Sequence, residues 1–138
     1  MNREEIVIDA ANVVAGRAAS TAAKELLKGK KVYMVNAEKA MVNGDPKYTI
    51  VHYKEKLARG DPYKGPFYPK VPDRILKRMV RGMLPYKKPM GKNAFKRLRV
   101  YSAVPEELQG KEFKTVPGKV GKKSISLKEL SQRLKWLS

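Results

Sequence analysis

The first 37 residues contain a strand, a helix and a second strand in immediate succession. Residues 5–10 form a short, mainly apolar run that is typical of a buried strand. A helix is predicted over residues 14–28, because this segment is rich in alanine and Gly29 follows it as a C-terminal cap. Residues 31–37 are almost continuously apolar, as in a central strand of a parallel sheet. This βαβ succession predicts an α/β fold built on parallel strands.

The charge of the chain indicates what kind of partner it has. Among 138 residues there are 31 Lys and Arg but only 13 Asp and Glu, which gives a formal net charge of +18 at pH 7. Such an excess repels itself within a compact fold and indicates a polyanion, with nucleic acid the first candidate and an anionic membrane surface the second. The longest stretch without a charged residue spans only residues 10–16. No membrane helix or signal peptide is therefore predicted, and a cytoplasmic protein is expected.

Most of the excess charge lies between residues 74 and 99, where there is no acid. A charge run is usually a solvated helix face, but such a face contains Glu or Asp partners one turn away. The absence of acids therefore predicts a surface that binds phosphates with its guanidinium groups and offers aromatic rings for stacking. The aromatic residues in or beside this window are Tyr86, Phe95 and Tyr101, of which Phe95 fits a core position equally well. The ten bases are Arg74, Lys77, Arg78, Arg81, Lys87, Lys88, Lys92, Lys96, Arg97 and Arg99.

Two helices and two irregular segments are predicted in the middle of the chain. A helix over residues 47–59 is followed by a proline-rich loop at residues 60–72, whose aromatic residues either stack on bases or pin the loop to the domain. A second helix begins at Pro72 and ends before Pro85. Residues 86–99 are expected to stay extended until RNA neutralises their charge, because like charges repel and a proline and a glycine interrupt the segment; the alternative is a rigid linker whose bases face solvent. Within and after this segment, one or two helical turns are predicted at residues 92–98 and a strand at residues 99–104. The apolar stripe of the second helix comprises Ile75, Leu76, Met79, Val80, Met83 and Leu84.

The C-terminal part is predicted to be a basic extension with one helix. Residues 1–104 are expected to form a single α/β domain that includes the basic segment, and residues 105–138 form the extension. Ser126 and Glu129 are spaced as a capping box, which predicts a helix over residues 127–137.

Residues suited to catalysis or metal binding are scarce. The chain has no cysteine and one histidine, which excludes a thiolate zinc site, a thiol nucleophile and a histidine cluster. The turn after the first strand holds a single glycine, Gly16, instead of a glycine-rich phosphate loop. No catalytic residue, metal site or cofactor is predicted. The alternatives to a structural RNA-binding protein are a nucleotide-using or RNA-modifying enzyme on a Rossmann-like sheet and a free regulatory module that binds messenger RNA or DNA.

Several ordered motifs resemble those of one protein family. They are residues 8–10 with 16–20 (IDA and GRAAS), 35–39 (VNAEK), 82–85 (GMLP) and the basic run at 86–101. These motifs look like those of the ribosomal protein L-thirteen family of the large subunit, and the basic run resembles its archaeal and eukaryotic branch. The resemblance covers roughly residues 6–104.

The resemblance implies a three-layer α/β/α domain with a mostly parallel four-stranded sheet, to which the basic extended segment and the C-terminal helix are added. It also implies a structural protein without enzymatic activity or cofactor, which binds and helps to fold large-subunit ribosomal RNA in ribosome assembly and translation. The expected partners are that RNA and neighbouring large-subunit proteins in the cytoplasm, with no membrane and no small-molecule substrate. The expected rRNA-binding residues are Arg17, Arg74, Lys77, Arg78, Arg81, Tyr86, Lys87, Lys88, Lys92, Lys96, Arg97 and Arg99.

Overall fold

The computed structural model describes residues 4–58 and 71–135, and it confirms the βαβ opening. The predicted loop at residues 60–72 lies outside the described residues except for its last two, as do the end of the helix predicted over residues 47–59 and the last two residues of the C-terminal helix. The elements in chain order are β1 (Glu5–Asp9), α1 (Ala15–Leu27), β2 (Lys31–Val35), β3 (Met41–Asn43), α2 (Pro46–Ala58), α3 (Pro72–Met83), α4 (Pro89–Lys96), β4 (Leu98–Val100), β5 (Ser124–Ser126) and α5 (Leu127–Lys135), with 3₁₀ turns at Ala37–Lys39 and Glu106–Leu108.

Strands β1, β2 and β4 form one parallel sheet with β2 in the middle, and β3 and β5 form a separate antiparallel pair. Val7 is level with Tyr33, and Tyr33 is level with Arg99. A single residue, Lys114, bridges the other edge of β1: the Asp9 N–H donates to its carbonyl (3.0 Å), and its own N–H donates to the Val7 carbonyl (2.7 Å). The α/β class with a parallel sheet is therefore confirmed. In the described residues this bridge takes the place of the expected fourth strand.

Side chains alternate between the two faces of the sheet, and each face has its own hydrophobic cluster. Ile8 and Met34 lie in a large cluster with buried side chains from α1, α3, α4 and α5. Val7 and Val35 lie on the opposite face and pack with Leu108 of the second 3₁₀ turn. Helices thus cover one face of the sheet, whereas a 3₁₀ turn and the chain around it cover the other.

The basic segment at residues 86–99 is folded onto the domain and is not extended, although the helical turns and the strand predicted near its end are present with shifted bounds. Its middle forms the helix α4, and its end joins the sheet as β4. Pro89 occupies the first turn of α4, where a proline removes no helical hydrogen bond, so the helix begins within the stretch that the sequence predicts to be a linker. Gly91 is buried in the same helix against the Pro85 carbonyl, so its lack of a side chain permits close packing instead of providing flexibility.

The predicted apolar stripe of α3 is confirmed at its centre and wrong at its end. Ile75, Leu76 and Val80 are buried. Met83, the last residue of the helix, is 45% exposed. Leu84 follows the helix with an extended backbone and is only 6% exposed. The core at this end is therefore filled by the residue that leaves the helix, and Met83 faces outward.

One buried carboxylate joins three parts of the fold. Glu25 on α1 is 5% exposed, and its oxygens lie 2.8 Å from Lys30 Nζ, 3.4 Å from Lys114 Nζ and 3.6 Å from Lys28 Nζ. The Lys30 ammonium, whose Nζ lies 2.8 Å from Glu25 Oε2, lowers the pKa of Glu25 from its ordinary value of 4.5 to about 2, and burial opposes this effect. The end of α1, the start of β2 and the Lys114 bridge are thus held together by Glu25.

Replacing Glu25 with Gln is expected to lower the free energy of unfolding at pH 7 by about 1–3 kcal/mol, because three ammonium groups lose their buried negative charge and one of its two acceptor oxygens. A carboxyl group with a lowered pKa stabilises the fold above its unfolded-state pKa, and this stabilisation is lost as the pH falls from about 4.5 to about 2. Thermal unfolding at several pH values measures the effect. The difference between the wild type and E25Q should shrink across that interval.

The matched control for this measurement is E107Q, because Glu107 is exposed and makes no ion pair with a described residue. Its stability should follow that of the wild type at every pH. A stability difference for E25Q that does not change with pH would show that the charge of this carboxylate is not what stabilises the fold.

Candidate nucleic-acid interface

Helix α3 carries four of the predicted rRNA-binding residues on the face opposite its core contacts, and three more lie in the turn that follows it. Pro72 lies in its first turn, and Asp73 lies at the positive end of the helix dipole. The buried face of α3 packs mainly against α1 and also contacts β4 and α5. Of the bases on its other face, Arg74 is exposed and the rest are half-buried. We define the α3 surface as Arg74, Lys77, Arg78, Arg81, Tyr86, Lys87 and Lys88.

Two aromatic rings orient two of these cations. The Arg81 guanidinium lies 4.2 Å from the centroid of the Tyr86 ring, and Lys77 Nζ lies 5.3 Å from the centroid of the Phe95 ring. The two rings contact each other edge to face, with centroids 5.6 Å apart and an interplanar angle of 89°. A cation–π contact orients a base without neutralising its charge. Lys77 and Arg81 therefore keep their full charge while their side chains are held in place.

A groove of about 670 Å³ is lined by Arg81 and Tyr86. Met79 and Leu84 line it with apolar atoms, and Arg78 and Lys88 line it with charged side chains. Tyr53 of α2 also lines the groove. The sequence does not reveal this role of Tyr53, because its only local signal is a position on the apolar face of α2. A concave surface that combines rings, apolar atoms and cations suits unpaired bases and phosphates of RNA.

The other predicted bases lie in separate parts of the domain. Lys92 and Lys96 are exposed on α4. Arg99 is exposed in β4, level with Tyr33 of the neighbouring strand. Arg17 is exposed in the first turn of α1. The structure therefore brings the residues of the α3 surface together but does not gather all of the predicted residues into one site.

Arg97 has a role within the fold. Its Nη2 atom donates to the Leu26 carbonyl at 2.7 Å, and its Nε atom donates to the Lys30 carbonyl at 3.4 Å. Leu26 lies in the last turn of α1, where carbonyl groups have no partner within the helix. Arg97 also donates to the Asn93 carbonyl at 3.3 Å. It thus caps α1 and joins this helix to α4.

Most bases of this window have no acidic partner among the described residues. The ion pairs between described residues join Glu4, Glu5 and Glu25 to Lys28, Lys30, Lys111 and Lys114, which lie outside this window. Such an unneutralised group of cations attracts a polyanion. With Arg78 and Arg97 set aside, the bases that make no ion pair with a described residue are Arg74, Lys77, Arg81, Lys87, Lys88, Lys92, Lys96 and Arg99.

Within residues 4–58 and 71–135, no group of three or more His, Asp and Glu side chains is placed to hold a metal ion. No helix in this part of the chain is long and apolar enough to cross a membrane.

The chain matches a known family over most of its length. The family model described as Ribosomal protein L13 matches residues 3–107, which include the whole parallel sheet and the α3 surface. The "Large ribosomal subunit protein uL13" of Archaeoglobus fulgidus is 48% identical over 134 residues, which cover 93% of this chain and 86% of that protein. The protein of the same name from Methanosarcina barkeri is 47% identical over 93% of this chain and 96% of its own length. The chain therefore belongs to the ribosomal protein L13 family.

Proposed function

We propose that this chain is a structural constituent of the large ribosomal subunit and that its α3 surface binds large-subunit rRNA. The observation that carries the proposal is that Arg74, Lys77 and Arg81 make no ion pair with a described residue, while aromatic rings orient two of them. The names of the relatives, which are large-subunit proteins, support it. The proposal includes no enzymatic step, cofactor, membrane or small-molecule substrate, and it locates the protein in the cytoplasm with the subunit.

The chemistry of the α3 surface suits recognition of phosphates and RNA shape. An arginine forms two parallel hydrogen bonds with a phosphate, and a lysine adds a mobile point charge. The rings of Tyr53 and Tyr86 line the groove and can contact bases that are not paired. Because bound cations reduce the repulsion between phosphates, RNA segments can approach each other more closely. By reducing this repulsion the protein assists rRNA folding during ribosome assembly. Its partners are large-subunit rRNA and neighbouring subunit proteins.

Replacing Arg74, Arg81 and Lys87 with Gln is expected to weaken binding to protein-free large-subunit rRNA. Each lost phosphate contact lowers the slope of log K against log salt by about 0.7–0.9, so the triple variant should lose about 2 units of slope. Wild-type protein should sediment with large subunits in stoichiometric amount through a high-salt wash, and the variant should be removed by the same wash. Filter binding at several salt concentrations measures the slope.

The matched control replaces Lys24, Lys31 and Lys54 with Gln, which changes the net charge by the same amount on α1, β2 and α2. This control should bind rRNA with the wild-type slope. Thermal unfolding of both triple variants should match the wild type, because the core lies on the other face of α3. If the α3 variant and the control lose equal affinity, the α3 surface is not the contact surface.

A further inference from the structure

A second acid-free segment lies in the C-terminal part of the chain. Residues 113–128 contain five lysines and no Asp or Glu. In the structure, the backbone of this segment is held at several points. The Gly121 N–H donates to Asn43 Oδ1 at 2.8 Å, and the Gly44 N–H donates to the Lys123 carbonyl at 2.8 Å. The pairing of β5 with β3 continues this attachment. The loop before β5 thus has a fixed course over the domain.

The same loop lies directly against Arg17. A Cβ added to Gly118 would be 2.8 Å from Arg17 Cδ and 3.1 Å from Arg17 Nε. The φ angle of Gly118 is +139°, a conformation that favours glycine. Gly118 therefore lets the backbone of the loop pack on the arginine side chain. Arg17, one of the expected rRNA-binding residues, therefore shares a surface with this loop.

The cations around this contact are exposed. Lys119, Lys122 and Lys123 are exposed in the loop, and Arg17 is exposed in the first turn of α1. None of the four makes an ion pair with a described residue. We define the loop surface as Arg17, Lys119, Lys122 and Lys123. Its backbone is fixed by the contacts described above, while its charges face outward.

The loop surface and the Tyr86 end of the α3 surface lie at opposite ends of α1. Arg17 is in the first turn of α1, whereas Arg97 binds the Leu26 carbonyl in its last turn. Arg97 directly follows α4, whose Phe95 contacts Tyr86. The rise of an α-helix is about 1.5 Å per residue, so Arg17 and Leu26 are about 14 Å apart along the helix axis. Arg17 and the Tyr86 end of the α3 surface are therefore separated along α1.

We infer that the loop surface is a second RNA-binding surface, which takes the phosphates of an rRNA segment different from the one on the α3 surface. This inference rests on the proposed function. The protein then connects two segments of the folded RNA, with α1 between them. Two separate contacts of this kind hold the relative positions of the segments, which one contact surface cannot do.

The composition of the loop surface favours RNA over an acidic protein as its partner. The core of a protein–protein interface is apolar and poor in lysine. The large hydrophobic residues that are exposed in the described part of the chain lie elsewhere, in α1, α2, α3 and α4. Lysine side chains on a fixed backbone act as mobile point charges, which suit a phosphate backbone without base recognition.

The test replaces Lys119, Lys122 and Lys123 with Gln and measures binding of the full chain to protein-free large-subunit rRNA. The slope of log K against log salt should fall by about 2 units, and combining this variant with the α3 triple variant should lower it by about 4, because separate contacts add. The control at Lys24, Lys31 and Lys54 should keep the wild-type slope. A variant with arginine at the three loop positions should also keep it, and this variant separates loss of charge from loss of folding.

Crosslinking of lysines to RNA in purified large subunits tests whether the segments differ. Lys119, Lys122 and Lys123 should crosslink to an rRNA segment other than the one that Lys87 and Lys88 contact. The inference is wrong if the loop variant binds like the control while the α3 variant loses slope, and the proposed function then still stands. Crosslinks of the loop lysines to a protein, or to the same rRNA segment as Lys87, would overturn it as well. An unchanged slope for the α3 variant would instead contradict the proposed function.

Discussion

Replacing Gly91 with alanine is expected to lower the free energy of unfolding by about 3 kcal/mol or more. Gly91 is buried in α4, and a Cβ added to it would overlap the carbonyl group of Pro85. The same Cβ would lie 2.9 Å from the Tyr86 nitrogen. These neighbours are backbone atoms and cannot rotate away as the end of a side chain can. Either α4 or the turn before it must therefore move, and urea unfolding of the purified protein measures the cost.

The matched control is Gly82→Ala, because a Cβ added to Gly82 in α3 meets nothing within 4 Å. Alanine is the better helix former, so G82A is expected to stabilise the protein by up to about 1 kcal/mol. Two changes of the same chemical type in neighbouring helices should thus have opposite effects. Wild-type stability of G91A would show that α4 does not pack on the Pro85 carbonyl.

Elements whose signals lie in the local sequence could be predicted. Gly29 follows α1 with a φ of 95°, which is the conformation that its predicted capping role requires. The Glu129 N–H donates to Ser126 Oγ at 3.1 Å, as the capping box predicts. Pro72 begins α3 as predicted. Each of these signals lies within four residues of the helix end that it defines, so the sequence pattern contains the whole interaction.

Features that depend on distant contacts could not be predicted in this way. Gly91 and Pro89 look like breaks in the chain, and only the position of the Pro85 carbonyl shows why a glycine is needed there. Arg97 stands in a run of bases that predicts phosphate binding, and no local pattern shows that its guanidinium donates to a carbonyl 71 residues away in sequence. Arg17 likewise packs against the loop before β5. The pattern of charge in the sequence shows that cations are present, whereas tertiary packing decides which of them share a surface.

Replacing Leu76 with aspartate is expected to leave the protein largely unfolded, with a loss of about 4 kcal/mol or more. Leu76 is fully buried at the centre of the apolar stripe of α3, within the large core cluster. A carboxylate at this position would lose its hydration without gaining a partner. Circular dichroism during thermal unfolding measures the effect. Leu76→Ala provides a second value, about 2–5 kcal/mol, for a variant that still folds.

The matched control is Met83→Asp, which puts the same charge at the end of the same helix. Helical spacing places both residues on the buried face, so the sequence pattern predicts similar losses for the two variants. The structure predicts a change of only about 0.5–1 kcal/mol for M83D, because Met83 is 45% exposed and an acid near a helix C-terminus is slightly unfavourable. If M83D lost as much stability as L76D, Met83 would be buried at the end of α3, as its helical spacing indicates. Leu84 would then not fill this part of the core. Helical spacing determines which way a residue faces, but the elements packed against the helix determine where the core ends.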